Sequence, residues 1–204
     1  ALYLAGAGVG RLVLADDDHV DLSNLQRQII HRQTSLGMSK TASAQQTLAQ
    51  LNPDTRVELL ETRLAGTEVL AQVQHCDAVV DCSDNFAIRF ALNSACWQAK
   101  VPLISAAAIR MEAQVSVFDP RRANSPCYQC LYEEGRDGDL NCSENGVMAP
   151  LVGMVGSIQA LECIKVLSGY GEPLVGRLLL IDALTMQLRS LTLQKNPDCT
   201  VCRD

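Results

Sequence analysis

Gly6-Ala7-Gly8-Val9-Gly10-Arg11-Leu12-Val13-Leu14-Ala15-Asp16 is the stretch whose reading decides the fold. Its three glycines invite a phosphate-loop interpretation. Such a loop must follow a strand and open a helix, so that amides at the helix N-terminus meet phosphate. Here the order is reversed: Ala1 to Ala5 reads as the end of a helix, and the glycines as its cap and turn. Leu12 to Ala15 then forms a buried strand. The chain is therefore expected to begin inside its first helix, with a first strand and its glycine loop lying upstream.

From that strand onward, apolar runs and helical patterns alternate. Met38 to Leu51 has helical spacing and stops at Asn52-Pro53. Val57 to Leu60 reads as a strand, Thr67 to Val73 as a short helix, and Ala78 to Val80 as a strand ending in Asp81-Cys82-Ser83-Asp84. A helix from Asn85 to Gln98 and a strand from Pro102 to Ser105 follow. This alternation predicts an α/β fold with a parallel sheet covered by helices on both faces. After Ala106 the pattern changes. Gln114 to Phe118 alternates as an antiparallel strand should, Arg121 to Asn145 reads as loop, and Arg177 to Ile181 and Leu188 to Leu193 alternate again. The expectation is one domain, a parallel nucleotide-type half (1–106) joined to a mixed or antiparallel half (107–204).

Composition narrows the class. A net charge of −6 argues against a general nucleic-acid binder, which needs a basic stripe. A chain of 204 residues with 48% hydrophobic content can bury a core without disulfides. Nine cysteines are an odd number, and no secretory or transit segment opens the chain, so a reducing cytoplasm is expected. The most apolar stretch, Val147 to Leu167, carries Gln159, Glu162 and Lys165 and reads as a buried helix instead of a membrane span.

Four of the cysteines form two C-x-x-C pairs, Cys127/Cys130 and Cys199/Cys202. Four thiolates match tetrahedral Zn²⁺ with no position left open for chemistry, so such a site is structural and ties the tail to the body. Two redox disulfides, or a coincidence of spacing, are the alternatives. Cys76, Cys82, Cys96 and Cys163 lie in apolar patterns and read as core thiols.

Polar residues gather at the ends of the parallel strands, where open sheets bind ligands. Asp16 closes the Leu12 strand and suits ribose hydroxyls, or else is a solvated turn acid. Asp17 and Asp18 read as bystanders, or Asp18 as a turn cap. Asp21-Leu22-Ser23-Asn24-Leu25-Gln26-Arg27-Gln28 starts a short helix that aims Asn24, Arg27 and Gln28 at the strand ends. Arg27 and Lys40 place two cations where a polyphosphate would sit, or are solvated surface charges. Asp84 is a candidate Mg²⁺ ligand.

The Asp16 segment, Ser23 to Gln28, Lys40, Asp81-Cys82-Ser83-Asp84-Asn85, Arg89 and both cysteine pairs occur in one order from Ala1 to Cys202. In this the chain resembles the ThiF/MoeB/HesA family of E1-like adenylyltransferases. Ala107 to Glu112 and Gly146 to Pro150 are most similar to the molybdopterin-synthase branch (MoeB), and Leu14 to Asp18 equally to the thiamine branch (ThiF). The resemblance implies a Rossmann-like adenylation fold with a four-cysteine zinc site. It implies ATP-dependent activation of the C-terminal carboxylate of a ubiquitin-like sulfur carrier ending in Gly-Gly, with Mg²⁺ as cofactor. Asp16 would then bind ribose; Asn24, Arg27, Gln28 and Lys40 would contact phosphates; Asp84 would hold Mg²⁺. Asn85 and Arg89 would line the nucleotide and carrier-tail site, although Arg89 also reads as a helix-surface charge. Cys142 stands where E1-like enzymes carry a thioester or persulfide relay cysteine, a role not required for adenylation. Relatives are homodimers, and the apolar helix from Leu151 to Leu167 is a candidate interface. An NAD-dependent oxidoreductase, a tRNA-modifying relative and a zinc-stabilised binding module without catalysis are the rival interpretations. The first leaves Arg27, Lys40, Asp84 and the four cysteines without a purpose.

Overall fold

The computed structural model of the chain describes residues 1–133 and 146–203. The chain divides into two compact units, Ala1–Leu64 and Ala65–Asp204.

In the first unit, helix α1 (Leu2–Gly6) ends in the glycine turn. Gly8 takes φ +85°, while its N–H donates to Ala5 O and the Val9 N–H reaches back to Leu4 O. That pair of bonds is a Schellman cap, and glycine occupies its left-handed position at no steric cost. The turn therefore closes a helix and delivers the chain into β1 (Arg11–Ala15). Strand β1 pairs in parallel with β2 (Arg56–Leu60), with Leu12 opposite Val57, and helix α2 (Lys40–Leu51) makes the crossover. Helix α2 starts two residues later than its periodicity predicts. Met38 is held in extended pairing, accepting the Val20 N–H, and the Ser39 side chain caps the helix by accepting from Ala42 N. At the other end Asn52 Nδ2 donates to Ala5 O at 2.7 Å and Thr55 Oγ1 to Val9 O at 3.0 Å, which ties the glycine turn to the helix end. Leu4, Leu12, Val20, Ala44 and Leu48 form the buried apolar side of this unit.

The second unit holds a five-stranded mixed sheet in the order β3-β4-β5-β6-β7. Helix α3 (Thr67–Val73) leads into β3 (Val79–Asp81), and helix α4 (Phe86–Ala99) crosses over to β4 (Leu103–Ile109), which is parallel to β3. The remaining strands, β5 (Glu112–Phe118), β6 (Arg177–Asp182) and β7 (Gln187–Thr192), are antiparallel. The α/β class with a parallel and a mixed sheet is thus observed, but β3 and β4 belong to the mixed sheet.

Strand β4 runs four residues beyond the expected Ser105. Ala106-Ala107-Ala108 has little strand propensity, yet each residue pairs with β5, so cross-strand contact overrides local preference. A two-residue turn follows, with Arg110 at φ +53°. Arg110 bonds through its backbone to Gly146 and Met148, which holds Val147 extended and delays helix α6 (Ala149–Ser168). Strand β5 does not alternate in burial as expected. Val115 and Val117 are buried on one face, and Ser116 and Phe118 on the other, where Phe118 meets the Tyr128 ring edge-on. The predicted loop after Arg121 contains a short helix, α5 (Tyr128–Leu131).

Helix α6 is long and apolar enough to cross a bilayer by length and composition alone. It nonetheless packs on the sheet of its own unit. Gln159 is buried and its Nε2 donates to Asp81 O (2.8 Å) and Ile104 O (3.2 Å), while the buried Glu162 accepts from Leu174 N.

Candidate functional site

Strand β1 delivers Asp16, whose Oδ1 accepts the Asp18 N–H at 2.9 Å. Lys40, the first residue of α2, is only 9% exposed, and its Nζ lies 2.7 Å from Asp18 Oδ2 and 4.0 Å from Asp16 Oδ2. Lys40 is therefore no solvated surface charge. Asp18, read as a bystander or a turn cap, is its closest ionic partner, and the Asp16, Asp17 and Asp18 carboxylates lie within 4.8 Å of one another. Asp21 caps the turn that follows by accepting from Ser23 N, and the Ser23 hydrogen bonds hold its carboxyl below the usual range. On that turn Arg27 Nη1 donates to Ser23 O at 3.2 Å and Asn24 Nδ2 to Ser23 Oγ at 3.3 Å. Gln28 Oε1 is buried without a partner, an acceptor left for a ligand donor or a water. Behind them His31 is buried against Ser43 Oγ (2.9 Å), and burial, helped by the Lys40 charge, pushes its pKa down. Nothing in the sequence pattern marked His31, because its partner lies on α2.

In the second unit Asp81 ends β3 and is 1% exposed. Its Oδ1 accepts from Ser83 N (2.9 Å) and Ser83 Oγ (2.6 Å), and its Oδ2 from Ser105 Oγ (3.3 Å). Burial pushes the Asp81 carboxyl up, against the pull of Ser83, Arg89 and Ser105. Asp81 thus folds the turn, and the turn presents Asp84 to solvent. Asn85 caps α4 with Oδ1 on Ile88 N, which commits its carbonyl side. Arg89, one turn into α4, is 7% exposed; its Nη2 donates to Ser83 O at 2.6 Å and its guanidinium lies over the Phe86 ring. A helix-surface charge is excluded.

Helix α5 and the tail bring Cys127, Cys130, Cys199 and Cys202 together, with all four sulfurs within 4.8 Å of one another. Cys127 Sγ lies 4.0 Å from Cys130 Sγ and 3.5 Å from Cys199 Sγ, and Cys130 Sγ lies 3.3 Å from Cys202 Sγ. Four sulfurs set tetrahedrally about 2.3 Å from one metal would be about 3.8 Å apart, so the cluster fits a closed thiolate site. The Asn196 N–H points at Cys130 Sγ at 3.4 Å, a backbone donor that favours a thiolate. Trp97 and Val201 pack around the cluster. Cys96 and Cys163 are buried as expected, whereas Cys76 is half-buried and Cys82 is exposed, with its Sγ turned towards Gln159 Oε1 at 3.7 Å. Cys142 lies outside the described residues.

The ThiF family model matches residues 1–201. The chain belongs to the ThiF family. This ThiF-family chain is 48% identical over 200 residues to the molybdopterin-synthase adenylyltransferase of Salmonella typhimurium, covering 98% of the chain and 80% of that protein. It is 46% identical over 202 residues to the sulfur carrier protein ThiS adenylyltransferase of Escherichia coli, covering 99% and 80%. The crystal structure of E. coli MccB with MccA-N7isoASN superposes with a TM-score of 0.86 at 23% identity, a likeness of fold alone. The chain spans 62% of the length of that MccB chain.

Proposed function

We propose that this chain uses ATP to adenylylate the C-terminal glycine carboxylate of a ubiquitin-like sulfur-carrier protein, in molybdenum cofactor biosynthesis. The 48% identity to a molybdopterin-synthase adenylyltransferase across 98% of the chain carries this proposal. The carboxylate attacks the α-phosphorus of ATP, the bond to the bridging oxygen breaks, and acyl-adenylate and pyrophosphate leave. No enzyme nucleophile is needed. Two anions must meet, so catalysis rests on positioning and on cations that are already in place.

Lys40 and Arg27 are the candidate cations. Lys40 is buried and braced by Asp18, and Arg27 is braced by Ser23 O, so neither must be ordered at the moment of reaction. Asp16 receives ribose hydroxyls, and Asn24 and Gln28 contact phosphates through their side-chain amide N–H groups. Asp84, exposed on the Asp81 turn, holds Mg²⁺, which supplies neutralisation of phosphate charge. Asn85 and Arg89 line the nucleotide and carrier-tail site by shaping that turn. The four cysteines hold Zn²⁺, which supplies stability and no chemistry. The nucleotide half is assigned to 1–106 and the carrier and zinc half to 107–204, and adenylation proceeds without Cys142. A cytoplasmic homodimer is the proposed assembly.

The thiamine carrier is the second candidate substrate, favoured by 46% identity to a ThiS adenylyltransferase. ATP–pyrophosphate exchange with each purified carrier in turn separates the two. Exchange with a molybdopterin-synthase carrier alone supports the proposal; exchange with ThiS alone replaces it. No exchange with either, from zinc-loaded protein, would leave a binding module.

A further inference from the structure

His31 is a buried titratable group that the adenylation chemistry leaves unused. It is 8% exposed, and its Nδ1 lies 2.9 Å from the hydroxyl of Ser43, which is itself buried. Burying an imidazole is costly unless it is hydrogen-bonded, so the pair is held in one geometry. Burial and the charge of Lys40 outweigh the pull of Asp16 and keep the ring neutral at neutral pH. Two uncharged groups therefore meet here, and their bond acts as a spacer instead of an ion pair.

The two sides of that bond belong to the two halves of the proposed phosphate grip. Ser43 lies on α2 one turn after Lys40, and residues three apart share a helix face. His31 closes the turn that carries Arg27 and Gln28. Arg27 N and Gln28 N donate to Asn24 O, and His31 N donates to Gln28 O, so Asn24 to His31 moves as one hydrogen-bonded piece. A second clasp, from Thr47 Oγ1 to Ile30 O at 2.7 Å, holds the same piece one turn further along α2. Of the two clasps, the one between His31 and Ser43 is the nearer to Lys40 along the helix.

We propose that His31 is a positioning residue for ATP: by bonding Ser43 it sets the separation between Lys40 on α2 and Arg27 and Gln28 on the turn, so that all three reach one triphosphate. The proposal rests on the phosphate-binding reading of those three residues and goes beyond it. Misplacing a group of this kind by about 1 Å costs on the order of 100-fold in rate, so a spacer that touches no substrate still bears on the reaction.

The test is ATP–pyrophosphate exchange by the His31→Leu variant of the whole chain, with the carrier that supports exchange in wild type. The KM for ATP and the KM for the carrier are read separately. Leucine fills much of the imidazole volume but bonds nothing. The KM for ATP should rise about 10-fold, with the KM for the carrier unchanged. A variant that merely folds less well loses kcat with its folded fraction and keeps both KM values. His31→Asn, whose amide places a polar atom near the Nδ1 position, should recover most of the loss. A KM for ATP within about twofold of wild type in folded His31→Leu overturns the proposal, as does a His31→Asn variant no better than His31→Leu. Should His31→Leu not fold, Ser43→Ala decides, because it deletes one oxygen from the other side of the bond. A raised KM for ATP there supports the spacer, and an unchanged one overturns it. Exchange absent from the wild type would overturn the adenylation reading and this proposal with it; exchange present with an unchanged KM overturns this one alone.

Discussion

Asp119 shows how a single carboxylate becomes an acid-sensitive support. Its side chain is 2% exposed, and Arg121 grips it with Nε on Oδ1 and Nη2 on Oδ2, both at 2.8 Å, while Arg122 Nε lies 3.7 Å away. Burial alone would raise its pKa, but the Arg121 hydrogen bonds and the charges of both arginines bring it below its ordinary value of 3.8. The stability this pairing adds is fully present above that ordinary value and is lost as pH falls through the lower folded-state value. Arg121 is half-exposed and solvent-screened, so the contribution is about 1 kcal/mol. Urea titrations should show Asp119→Asn less stable than wild type at neutral pH by this amount, with the gap closing below the ordinary carboxylate range. A gap that stays constant down to acid pH would disprove it. Function at this scale rests on Arg27 and Asp84. Arg27→Ala and Asp84→Ala should each lower carrier-dependent pyrophosphate exchange by about 100-fold or more, the loss expected when a charge stabiliser is removed. Their circular dichroism and melting should match wild type, since both side chains lie outside the buried cores. Full activity in either variant would sink the assignment.

Elements here are defined by their ends. Gly8 sits at φ +85° with open space where a Cβ would go, so Gly8→Ala meets no clash and feels only backbone strain. That strain should cost about 1–2 kcal/mol, read as a lower urea midpoint with an unchanged slope. Ser39→Ala removes the cap of α2 and should cost about 1 kcal/mol; a cost near zero would mean that Lys40 and Asp18 alone hold the helix start. The interiors of β1, α2, α3 and α4 were legible because apolar periodicity and cap chemistry are local. Their ends were less so where a distant strand intervened. Met38 is drawn out of α2 by Val20, Val147 out of α6 by Arg110, and three alanines into β4 by β5.

For the whole molecule, the four-cysteine cluster joins positions 72 residues apart, Cys127 to Cys199 and Cys130 to Cys202. A ligand present at a hundredfold excess over its dissociation constant adds about 2.7 kcal/mol, and for a chain of this size each kcal/mol moves Tm by about 2–4 °C. Chelation should therefore lower Tm by roughly 5–10 °C and expose the tail to proteolysis near Asn196. An unchanged melt in chelator would show that the tail docks by packing alone.

The sequence by itself determined the α/β class, the reversed order of glycine turn and strand, the two cysteine pairs and the candidate residues at the strand ends. Each of these is written in spacing or in residue type, which adjacent positions carry. Only the tertiary structure decided which charges meet. Asp18 rather than Asp16 is the near partner of Lys40, Asp81 is an internal anchor while Asp84 faces solvent, and Arg89 is buried. Asn93 looks like any helical polar residue until Tyr128 is brought against it from 35 positions away. The physical reason is the same throughout: hydrogen bonds and ion pairs depend on distance in space, and chain order constrains that distance only within a turn or two.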